Sequence, residues 1–130
     1  MKSANHEPSL CWKLQHTITD ALFDTCGQVE SNRLLRIVGF KAGMSFAEQY
    51  MDLSSRLLPF TRQLQEMFHG LKIGNLRVEK LDFEKVSFAL DCSMYEHVMP
   101  NCFEAFLAGI MEAYIIKNSV SLCYTVQLCA

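Results

Sequence analysis

The chain predicts an α+β domain in the order helix, helix, helix, strand, strand, helix, strand, with the helices on one face of a small antiparallel sheet. Three observations carry this. Apolar residues recur at helical spacing over most of the chain, the spacing switches to two in 76–90 and 120–128, and the stretch 101–117 is apolar nearly all round. A helix without a polar face belongs in the middle of a domain.

After a polar tail over residues 1–8, Leu10, Leu14, Ile18 and Leu22 fall four apart and mark an amphipathic helix that Ser9 can cap. Cys26-Gly27 stops it. Ser31 or Asn32 can cap a second helix that runs through Met51 and carries Gly39, Gly43 and Ala47 four apart. In the third helix Leu57, Leu58, Phe60, Leu64, Met67, Phe68 and Leu71 keep the period, Pro59 fits the first turn and Gly70 ends the run. Leu76 and Val78, then Val86, Phe88 and Leu90, alternate with polar or small residues, which predicts two antiparallel strands joined by a turn at 82–85. Pro100 and Asn101 open the central helix and Lys117-Asn118 closes it. In it Ala105, Gly109 and Ala113 repeat the four-residue spacing of the glycine helix, so the two predict a close-packed pair. The last strand places Val120, Leu122, Tyr124, Val126 and Leu128 on one face.

At 130 residues the chain has the length of a single domain, 1–130, able to bury about two-thirds of the surface it exposes when unfolded. Its net charge of −2 is intermixed along the sequence, which argues against a nucleic-acid footprint. The N-terminus lacks a basic start leading into an apolar run, and no stretch reaches the ~18 apolar residues of a membrane span. A soluble cytoplasmic protein is expected. In that setting the six cysteines read as reduced thiols, most of them buried as small hydrophobes.

Groups with chemistry are few. There is no phosphate-cradling glycine loop, no paired-cysteine zinc spacing and no local nucleophile signature, so no catalytic residue is assigned. His97 lies five residues from both Cys92 and Cys102 and reads as a loop residue. Glu104 and Glu112 share one side of the central helix, where they mark its solvent edge or anchor a pocket. Abundant Met and Phe suit an adaptable interior, either plain core or a site for a greasy ligand.

The glycine helix RIVGFKAGMSFAEQY, the hairpin GLKIGNLRVEKLDFEKVSFALDCS, and CFEAFLAGIMEAY followed by a strand reaching Cys129-Ala130 together resemble the 4-vinyl reductase domain family. That family is related in fold to the small subunits of the TRAPP vesicle-tethering complex, and the resemblance runs from about Leu34 onward. It implies a module that binds small hydrophobic molecules in a sensory or accessory role. A TRAPP-like assembly subunit without ligand is the alternative, and a tetrapyrrole enzyme a weaker one. The resemblance implies a ligand pocket lined by Phe46, Tyr50, Phe68, Phe103, Phe106 and Met111.

In related phenol-sensing domains a zinc ion is held by two cysteines that Cys102 and Cys129 match here, a glutamate and a later cysteine. The glutamate position is Val126, and the chain ends before the later cysteine, so Cys123 or His97 would have to be recruited. An incomplete set predicts no bound zinc and no other cofactor. In the family a further strand follows the position of Cys129. Its lack, together with the absence of charge from 119 to 130, predicts an edge covered by a second copy or a protein partner. The alternative is a central strand flanked by the hairpin strands.

Overall fold

The computed structural model describes residues 10–82, 84–92 and 100–129, in the order α1 (Leu10–Tyr50), α2 (Leu57–Gly70), β1 (Asn75–Leu81), β2 (Lys85–Asp91), α3 (Pro100–Asn118) and β3 (Cys123–Cys129). The chain forms two compact units, Met1–Leu34 and Leu35–Ala130. The α+β class stands, with helices packed on a three-stranded sheet.

The first unit holds the start of α1. Gly27, at φ 81° and ψ 170°, leaves the helical region and divides the predicted first and second helices, but the helix resumes at once without waiting for a cap at Ser31 or Asn32. Leu14 and Ile18 lie one turn apart and more than half exposed.

In the second unit, the predicted glycine pair forms. A side chain at Gly39 would strike the carbonyl oxygen of Cys102, one at Gly43 that of Phe106, and one at Gly109 that of Phe40. Only hydrogen at these three positions lets the α1 and α3 backbones touch. The loop after α1 is tied down by side chains. Asp52 Oδ1 accepts from the Ser54 amide (3.0 Å) and hydroxyl (2.6 Å), the Tyr114 hydroxyl donates to the Ser55 carbonyl (2.9 Å), and Asn118 Nδ2 donates to the Leu53 carbonyl (2.7 Å).

Two helices end alike. After α2 the Ile73 amide bonds the Phe68 carbonyl and Lys72 the His69 carbonyl, with Lys72 at φ 58°; after α3 the Val120 amide bonds Ile115 and Ser119 bonds Ile116, with Ser119 at φ 53°. These are Schellman closures. Gly70 therefore ends the helical run, as expected, while the left-handed residue comes two positions later.

The sheet order is β1-β2-β3. β1 and β2 form the predicted antiparallel hairpin, with Leu76 opposite Leu90 and Val78 opposite Phe88. β3 runs parallel to β2, so the sheet is mixed and the expectation of a wholly antiparallel sheet is corrected. The reason is the connection: α3 carries the chain from β2 to β3, and such a crossover returns the next strand in the same direction. Val86, Phe88 and Leu90 meet Tyr124, Val126 and Leu128 across the parallel ladder and share one face with Leu76 and Val78. All of these join one apolar core with Phe60, Leu64 and Phe68 of α2 and Leu107, Ile110 and Met111 of α3. Among the described residues β3 lies at an edge beside β2 and not between β1 and β2, which removes the central-strand alternative.

Candidate functional site

The six residues of the predicted ligand pocket sit on α1, α2 and α3, and five of them form one chain of ring contacts. Phe106 is the hub. Its ring centroid lies 5.6 Å from Phe46, 6.1 Å from Phe68 and 5.7 Å from Phe103, and Tyr50 extends the chain from Phe46 at 5.1 Å. Such separations are those of rings in mutual contact. Phe68 and Met111 are wholly buried, whereas Tyr50 is 73% exposed. The resemblance named these six residues together, and the structure brings their five rings into contact with one another, with Met111 buried on the same helix as Phe106.

Of the residues named for a metal, Cys102 lies half-buried in the first turn of α3 and Cys123 is exposed at the start of β3. Burial pushes the Cys102 thiol up. A thiol so shifted stays protonated at neutral pH, which disfavours nucleophilic attack. Burial, with the Asp91 carboxylate beside it, also pushes Cys92 up, to about 11. His97 and the Cys129 side chain lie outside the described residues, as does Ser93. Among the described residues no group of three or more His, Cys, Asp or Glu side chains could hold a metal ion, and no helix is long and apolar enough to cross a membrane.

A hollow of about 340 Å³ lies where α1, α3 and β3 meet. Arg36 and Phe40 line it from α1, Glu104, Ala105 and Ala108 from α3, and Tyr124 and Val126 from β3. Its rim is polar: Arg36 donates to Glu104 Oε1 (3.4 Å) and Asn101 Oδ1 (3.5 Å). The Tyr124 hydroxyl shares its one proton between Glu112 Oε2 (3.1 Å) and the Ala108 carbonyl (3.3 Å). Burial, then the Glu112 bond and charge, push that hydroxyl up to about 12. Glu104 thus edges a hollow and Glu112 satisfies a tyrosine. Neither role was separable from a plain solvent edge by spacing alone. The signal that could have pointed here is a tyrosine on the apolar face of the last strand, since a buried hydroxyl needs a partner.

The two edges of the sheet differ. β1 carries Arg77, Glu79 and Lys80, its register shifts between Val78 and Lys80, and Gln65 Nε2 from α2 donates to the Leu76 carbonyl (3.0 Å). β3 carries no charged side chain, and among the described residues no strand lies beyond it. Charge and bulges are the usual guards of a sheet edge, and β3 has neither. No family model, curated protein or solved structure matches this chain.

Proposed function

We propose that the chain is an assembly module that associates with a second copy of itself along β3. The observation that carries this reading is the contrast within one sheet between a guarded β1 edge and an unguarded, uncharged β3 edge. The site offers no nucleophile beside a base, so a binding or assembly role is preferred to an enzymatic one. Light scattering across micromolar concentrations tests it. Mass rising toward that of a dimer, and falling back in Thr125→Lys, supports the reading; a wild-type monomer at every concentration overturns it.

A second reading keeps one observation in its favour. The gathering of Phe46, Tyr50, Phe68, Phe103 and Phe106 into one aromatic group suits a module that holds an apolar or aromatic small molecule in a sensory or accessory role, as the 4-vinyl reductase resemblance implies. Native mass spectrometry of the purified protein separates the two readings. A retained small molecule at unit stoichiometry supports the second, and bare protein counts against it.

A further inference from the structure

The hollow between α1, α3 and β3 has Tyr124 and Val126 in its wall and no residue of β1 or β2, so it lies at the β3 margin of the sheet. Backbone direction tells which groups face away from β2. The Cys123 amide bonds the Glu84 carbonyl beside β2, and peptide groups alternate along a strand, so the amides and carbonyls of Tyr124, Val126 and Leu128 point away from β2. An incoming antiparallel strand that pairs all seven residues of β3 with their own copy has its two-fold axis on Val126. In that register outward-pointing groups meet outward-pointing groups, and every side chain keeps to its own face.

We propose that the hollow is a socket completed by a second copy of this chain: the two β3 strands pair antiparallel about Val126, and the partner's Val126 and the partner's Leu128 close over Phe40, Ala105 and Ala108. Several features fit this occupant. Two-fold pairing sets Val126 opposite its own copy and Thr125 opposite Gln127, so a charge beside the axis would lie close to its own copy, and β3 has none. The alanines leave room for aliphatic side chains from outside, and the Arg36–Glu104 pair supplies a polar rim around an apolar centre. The proposal rests on the self-association reading and adds the register and the socket.

Two variants test it, each compared with wild type by light scattering. Val126→Cys keeps the size of the side chain, and after mild oxidation mass spectrometry of the digested protein is expected to find position 126 linked to position 126 of the other copy. Ala108→Trp fills the socket and is expected to raise the dimer dissociation constant at least tenfold, with helix content by circular dichroism unchanged. A dimer that forms no 126–126 link, or that tolerates Ala108→Trp, overturns the socket while leaving self-association in place. A protein that is monomeric throughout overturns both.

Discussion

The carbonyl oxygen of Phe40 occupies the place where a side chain at Gly109 would begin, and two reciprocal contacts, Gly39 on Cys102 and Gly43 on Phe106, extend this backbone-to-backbone seam between α1 and α3. Alanine at Gly109 or Gly43 gains about 1 kcal/mol of helix propensity but must push two rigid helices apart, at a cost of about 1–3 kcal/mol or more. The expected result is a net loss of stability, read as a lower denaturant midpoint for either variant. Gly70, with open space around it, is the control: Gly70→Ala leaves the midpoint unchanged or raises it.

Lys72 closes α2 in the left-handed region, a conformation that costs a residue with a Cβ about 1–2 kcal/mol. Lys72→Gly keeps the same backbone bonds without that cost. Thermal unfolding is expected to show a stabilisation of up to about 1 kcal/mol, whereas Lys72→Val should be destabilising.

The α1–α3 seam was legible in the sequence because a missing Cβ, repeated every four residues on two helices, has few other uses. The hairpin was legible because period-two alternation on each side of a turn at 82–85 marks both strands, while the register shift between Val78 and Lys80 leaves no mark in that alternation. The direction of β3 was not. Its alternation reports which side chains point inward and is the same for either direction, so only the crossover through α3 decides it. The ends of the helices were half legible: Gly70 marked the end of α2, yet the left-handed positions went to Lys72 and Ser119, which carry no glycine signal. The aromatic residues were named through the family resemblance and not through their spacing, and the hollow beside Tyr124 draws on α1, α3 and β3, where one-element periodicity cannot foresee a meeting of three.

Tyr124 gives the fold a response to alkali. Its hydroxyl titrates near 12 in the folded chain, above the ordinary value of about 10, so the folded state holds that proton more tightly than the unfolded state does. The stability it contributes is complete below pH ~10 and is lost as pH rises through the folded value. Ultraviolet titration is expected to show a tyrosine ionising near 12 that disappears in Tyr124→Phe, and that variant should unfold with a shallower dependence on pH above 10.

Within the aromatic group, burial separates core from surface. Phe68→Ala removes a wholly buried ring and is expected to cost about 3–5 kcal/mol, while Tyr50→Ala, at a residue 73% exposed, should change stability by no more than about 0.5 kcal/mol. Urea unfolding of both variants checks the difference. Equal costs would show that these rings do not pack as described.

Hydrogen exchange at the backbone amides of β3, followed residue by residue at several protein concentrations, tests self-association along this edge most directly. The Thr125 and Gln127 amides face β2 and should be protected at every concentration. The Tyr124, Val126 and Leu128 amides point to the open side, and their protection is predicted to appear as concentration rises and to vanish in Thr125→Lys. Rapid exchange of those three amides at all concentrations, with Thr125 and Gln127 still protected, would contradict the account.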